Sequence, residues 1–132
     1  MRTAQRFPTF MQLVPLLVLL SLTLFPFGGV GQSWPVFGRW IDHTFPTDGW
    51  HALGHAGLFF MLGLAALWVL PQLRTRPRRY LGLLMLIGVG QEFFQMLYKG
   101  RLLLFDNSRD LLTDVVGILL AFVVVWIWQR RV

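Results

Sequence analysis

The chain has 132 residues, of which 55% are apolar and 14% charged, and its mean hydropathy is +0.59; an average soluble domain carries roughly 25% charged residues. That is too little polar surface for a domain in water, which excludes a soluble enzyme, a disordered tail and a free nucleic-acid binder. Cysteine is absent and the net charge is +6, so any chemistry must come from His, carboxylate, Arg or hydroxyl groups.

Four apolar stretches are long enough to cross about 30 Å of hydrocarbon as helices at 1.5 Å per residue. They are Phe10–Phe27, Leu53–Leu70, Tyr80–Tyr98 and Leu111–Trp128, each 18 or 19 residues long. None shows the strict alternation of a barrel strand. The expected fold is therefore all-α, a single domain over 1–132 forming an integral membrane four-helix bundle. Pro15 should bend the first helix, and Pro26 with Gly28, Gly29 and Gly31 should end it. The segment 30–49, with Trp34, Trp40 and Phe45 beside Arg39 and Asp42, reads either as a lid lying flat on the outer surface or as a plain connector. The second helix stops at Pro71, ahead of a basic turn over Gln72–Arg79. Arg2 and Arg6 followed by an apolar stretch also describe a signal peptide. The stretch exceeds the usual h-region of about 7–15 residues and lacks a convincing small-x-small cleavage site, which favours a retained helix.

Basic residues set the orientation, because cytoplasmic segments hold the excess of Lys and Arg. One side of the zigzag has eight: Arg2, Arg6, Arg74, Arg76, Arg78, Arg79, Arg130 and Arg131. The other has four: Arg39, Lys99, Arg101 and Arg109. Both termini are expected in the cytoplasm, and the basic loop needs no nucleic acid to explain it. Trp34, Trp40, Trp50 and Tyr98 then mark the outer interface, and Trp68, Tyr80, Trp126 and Trp128 the inner one.

All six carboxylates (Asp42, Asp48, Glu92, Asp106, Asp110, Asp114) and all three histidines (His43, His51, His55) fall on the outer side. Acidic residues contribute little to the positive-inside rule, so that rule does not account for them. Gly88, Glu92, Gln95 and Lys99 recur at i, i+4, i+7, i+11, as do Asp110, Asp114, Gly117 and Ala121, so each set forms one helical stripe. His51 and His55 open a similar face continued by Leu58 and Leu62. An ionised carboxylate at mid-bilayer costs about 2.5–3.5 kcal/mol on insertion scales. The stripes should therefore face one another, forming an outward-opening polar pocket lined by His55, Glu92, Gln95, Asp110 and Asp114, with Arg101 as countercharge.

Plainer roles compete for each residue. Glu92 and Gln95 read equally as interhelical hydrogen-bonding groups. Asp110 and Asp114 read as carboxylates at a helix N-terminus, with Asn107 or Ser108 as cap. His51 and His55 have the i, i+4 spacing of a zinc pair, to which Glu92 or Asp114 would add a third ligand. The intervening glutamate of the HExxH motif is missing, however, and no metal is assigned. Arg101, Lys99 and Arg109 suit either an anionic head group or ordinary snorkelling.

These residues resemble the VanZ-like family of small bacterial membrane proteins, associated with teicoplanin resistance. The family pattern is E-x-x-Q, an Arg several residues on, then D-x-x-x-N-x-x-G. The chain reads Glu92-Phe-Phe-Gln95, Arg101, then Asp110-Leu-Leu-Thr-Asp114-Val-Val-Gly117. Asp114 stands where the family usually has Asn. Upstream, His55, Phe59, Leu62 and Gly63 fit, while His51 occupies the place of an acid and the family's Asp-Lys pair is missing. The resemblance covers His51 to Ala121. It implies an envelope function in the bacterial cytoplasmic membrane, with no established reaction to carry over.

The function expected is binding, with or without modification, of an anionic lipid-linked or cell-wall component, influencing glycopeptide susceptibility. In that role Arg101 holds the anionic group, His55 and Glu92 act as an acid/base or hydrogen-bonding pair, and Gln95, Asp110 and Asp114 complete the site. The alternative is a non-catalytic helical subunit or scaffold associating through its small-residue faces, as a homo-oligomer or with another membrane protein. A transporter fits less well, since broken inverted-repeat helices are absent from the pattern.

Overall fold

The computed structural model describes residues 9–99 and 104–131, and within them every side chain except those of residues 98, 99 and 104–107. The described residues are helical almost throughout, with no strand among them: α1 (Phe10–Leu24), α2 (Phe27–Ser33), α3 (Pro35–Thr44), α4 (Asp48–Val69), a 3-10 turn (Pro71–Thr75), α5 (Pro77–Lys99) and α6 (Leu104–Arg131). Three of these helices are long and apolar enough to cross a membrane. Four qualify if α1 and α2, bent by 57° at their junction, count as one span.

The first stretch breaks earlier than its hydrophobicity suggests. Phe25 precedes a proline, which disfavours the helical region, and it is extended at φ −68°, ψ 131°. The glycines beyond Pro26 do not end the helix; they lie inside α2. Their use is close approach, because a Cβ on Gly38 of α3 would sit 2.7 Å from the carbonyl oxygen of Gly31. The segment 30–49 is thus largely a helical hairpin, with Trp34 and Phe37 stacked at 5.9 Å and Trp40 on the next turn stacked on Phe37.

The second stretch extends back to Asp48, with the Thr47 side chain accepting from the Trp50 amide at the N-terminus. At its other end Arg74 Nε donates to the Leu67 carbonyl at 2.8 Å, placing a cation where the last carbonyls of a helix lack partners. The expected basic turn is shorter than drawn, since Arg78 and Arg79 belong to the first turn of α5. The last helix begins at Leu104, well before Leu111. Asn107 and Ser108 are therefore helical residues rather than caps, and Asp110 and Asp114 lie deeper than an N-terminal role requires.

α4 is the centre of the fold, packing most extensively on α6 and next on α1, while α5 also lies on α6. Phe59, Leu62 and Leu67 of α4, Leu84 of α5 and Ile118 of α6 are completely or almost completely buried together. Tyr80 departs from its expected place at the interface. It is 1% exposed, and its hydroxyl donates to the Ile118 carbonyl at 2.9 Å. Gly63 admits that ring, because a Cβ there would strike the Tyr80 hydroxyl and the Ala121 methyl. Outside this core, large apolar side chains such as Leu86, Leu97 and Leu112 point outward, as lipid-facing residues do and a water-facing surface would not.

Gly117 is the tightest of the contacts between α4 and α6, since a Cβ there would collide with the backbone carbonyl of Ala56. Gly117→Ala should therefore destabilise the packed state by about 1–3 kcal/mol, the usual cost of overpacking. Gly57→Ala, with open space around it, should be neutral or gain up to ~1 kcal/mol of helix propensity. Thermal unfolding of the two purified variants in detergent checks the opposite signs.

Candidate functional site

Three helices each bring one ionisable side chain to a common point. His55 lies on α4, Glu92 on α5 and Asp114 on α6, and their donor atoms all fall within 4.8 Å of one another. The period of a helix explains the selection. Glu92 shares its stripe with Gly88, and Asp114 shares its stripe with Gly117, so in both cases a glycine one turn or less away lets the backbones close in. A Cβ on Gly88 would lie 3.3 Å from Asp114 Oδ2 and 3.5 Å from the ring of Phe59.

His55 Nδ1 and Asp114 Oδ1 are linked at 3.1 Å. An ionised carboxylate only accepts, so in that state Nδ1 carries the hydrogen and the other ring nitrogen is left to accept or to ligate. Asp114 is 1% exposed and Glu92 3%. The second carboxylate oxygen of Asp114, Oδ2, is buried and has no hydrogen-bond partner among the described residues.

Among the described residues the cluster is largely buried. Phe59 and Leu111 border it along with Gly88, and only the His55 side chain retains appreciable exposure, at 19%. The surface depressions of note lie elsewhere: one of about 330 Å³ at Thr75–Arg79, and one of about 200 Å³ where Gly28 and Gly31 of α2 meet Gly38 of α3. Among the described residues the stripes meet in a buried polar knot, where glycine at position 88 allows α5 to sit directly against α6.

The remaining expected site residues fall around this knot. Gln95 is half-buried one turn further along α5. Asp110 is also half-buried, one turn from Asp114, and its backbone carbonyl accepts the Thr113 hydroxyl at 2.8 Å. Arg101 lies outside the described residues. His51 does not join His55: it is exposed and stacks on Phe45 at 5.7 Å. Arg109 reaches across to the start of α4, 3.5 Å from the Asp48 carboxylate and bonded to the Asp48 carbonyl. Gln91 was not marked by the stripes, yet it is buried, with its Oε1 unpartnered among the described residues. Its only sequence signal is being a polar residue next to Glu92 inside an apolar helix.

Chemically, a carboxylate–imidazole pair beside a second carboxylate can relay a proton, orient a polar ligand or coordinate a cation. Compared with protein-family models, curated proteins and solved structures, the chain matches none of them.

The His55–Asp114 contact predicts a measurable coupling. A double-mutant cycle over His55→Ala and Asp114→Ala, followed by unfolding in detergent, should give about 0.6–1.7 kcal/mol, the span found for polar pairs between membrane helices. The same cycle over Arg109 and Asp48, both largely solvent-exposed, should give no resolvable coupling.

Proposed function

We propose that the chain is a VanZ-like multi-pass protein of the bacterial cytoplasmic membrane, a four-helix bundle with both termini inside. In this reading it binds an anionic lipid-linked or cell-wall component near the outer leaflet and lowers susceptibility to teicoplanin. One observation carries the reading: the histidine, glutamate and aspartate at the motif positions, far apart in sequence, meet at one buried point between three helices. A bundle that needed only cohesion has cheaper means in small residues and apolar packing.

His55 and Asp114 form the proton-holding pair and Glu92 is its neighbour. Gln95 and Asp110 lie toward the outer end, where a ligand entering from the leaflet arrives first. Arg101, which follows α5 in the sequence, supplies the positive charge that an anionic head group needs. The α2–α3 hairpin fits a position in the outer interface, where exposed Trp34 and Trp40 are at home among head groups. A second reading, a scaffold subunit, is favoured by Gly57, Gly82 and Gly90, which have open space around them and would admit another helix or a second copy of this chain.

In a susceptible host expressing the chain, Glu92→Ala and Arg101→Ala should each abolish protection against teicoplanin at unchanged membrane abundance, and Gly57→Leu should leave it intact. The reverse pattern, protection lost with Gly57→Leu and kept without Glu92 or Arg101, selects the scaffold. Because the chain has no cysteine, single replacements report topology cleanly. Arg76→Cys should resist a membrane-impermeant maleimide in intact cells, and His51→Cys should react with it.

A further inference from the structure

We propose that His55, Glu92 and Asp114 together hold a divalent metal ion of the zinc class. The donors are of the right kinds, one imidazole nitrogen and two carboxylates, and they come from three different helices to within 4.8 Å of one another. Adjacent ligands on a tetrahedral zinc with bonds of about 2.0–2.2 Å lie roughly 3.3–3.5 Å apart. The His55 Nδ1–Asp114 Oδ1 separation of 3.1 Å is already close to that spacing, the ion taking the place of the hydrogen that Nδ1 carries without it, and the buried Glu92 carboxylate supplies the third position. Three protein ligands leave a fourth site for water or an oxygen of a bound molecule, the arrangement of zinc centres that act on substrates rather than brace a fold.

A second observation points to the same occupant. Asp114 Oδ2 is buried without a hydrogen-bond partner among the described residues, in a chain where a buried carboxylate oxygen left unsatisfied costs stability. The space beside it is kept by Gly88, whose missing Cβ would stand 3.3 Å from that oxygen, on the same face of α5 as Glu92. A methyl group there would crowd the oxygen. An imidazole in the set favours zinc and its neighbours over magnesium and calcium, which take oxygen ligands. Spacing alone pairs His51 with His55 as ligands, but the fold sends His51 to Phe45 and puts two carboxylates in its place.

This site stands on geometry and does not depend on the function proposed above, although it would give that function a means. Two buried carboxylates repel an anionic ligand, whereas a divalent ion between them reverses the local sign and offers the anion a coordination position. The ion would also lower the pKa of a water it bound, making a nucleophile available near neutral pH.

Zinc binding by the full chain tests the proposal. Protein purified in detergent is stripped with a chelator, dialysed against Zn²⁺ and assayed for bound metal by elemental mass spectrometry. Wild type should retain one zinc per chain, and His43→Ala and His51→Ala should keep it. Glu92→Gln and Asp114→Asn preserve side-chain shape. They should lose at least the ~10–100-fold in affinity that even a supporting hydrogen bond to a metal ligand contributes. Cobalt loaded into wild type should show the visible absorption of a low-coordinate site, a readout that requires no variant to fold. Background zinc in wild type, or zinc that survives both Glu92→Gln and Asp114→Asn, overturns the metal site. Loss of teicoplanin protection in those variants without any zinc in wild type would overturn the metal alone and leave the proposed function standing. Zinc lost from variants that still protect supports the metal and counts against the function.

Discussion

A carboxylate inside an apolar helix bundle has few tolerable states, and most of this structure follows from that constraint. Transfer of an isolated ionised group into such surroundings is costly enough that it must be paired, hydrogen-bonded or neutralised. Asp114 meets the requirement through His55, and the contact fixes more than two side chains. It sets the rotation of α4 and α6 about their axes, and with it which of their faces turn inward. The Ala56–Gly117 crossing and the burial of Phe59 and Ile118 are consistent with that choice. Small residues make the pairing sterically possible, and the polar pair adds a requirement that the close packing meets.

The same logic explains why the cluster is buried. Helices in lipid gain nothing from hiding apolar surface from one another and associate through tight contact and interhelical hydrogen bonds. Gly63, Gly88 and Gly117 supply the contact on three helices. Tyr80, donating to the Ile118 carbonyl, adds a bond between α5 and α6, away from the α4–α6 bond of the cluster. The polar groups are thus held by packing on both sides, the preorganisation that a binding or catalytic site needs if it is not to adjust at every encounter.

Much of this was legible in the sequence, for identifiable reasons. The second to fourth long apolar helices follow from apolar run length, and the convergence of His55, Glu92 and Asp114 follows from helical period plus the cost of facing lipid. Other features depend on tertiary contacts that periodicity does not contain. His51 and His55 differ by only about 40° on a helix of 3.6 residues per turn, and the packing of Phe45 separates them. Tyr80 looked like an interfacial anchor because tyrosine is common there, and only the gap at Gly63 shows that the ring turns inward. The early start of α6 and the survival of helix through Gly28, Gly29 and Gly31 were hidden for a related reason. Glycine reads as a stop signal unless a partner helix makes its small size useful, and Asn107 or Ser108 ahead of an apolar run reads as a cap. The stripes gave the facing residues but not the distance between helices.

The account stands or falls on whether His55 and Asp114 touch in a bilayer. The most direct measurement is a solid-state NMR dipolar distance between the His55 ring nitrogens and the Asp114 side-chain carboxyl carbon, in labelled protein reconstituted into lipid. The structure predicts strong coupling from Nδ1, consistent with an Nδ1–Oδ1 separation of 3.1 Å, and its disappearance when Asp114 is left unlabelled. A His55 ring that correlates with acyl chains or bulk water, with no coupling to Asp114, would contradict the interior polar contact and everything built on it.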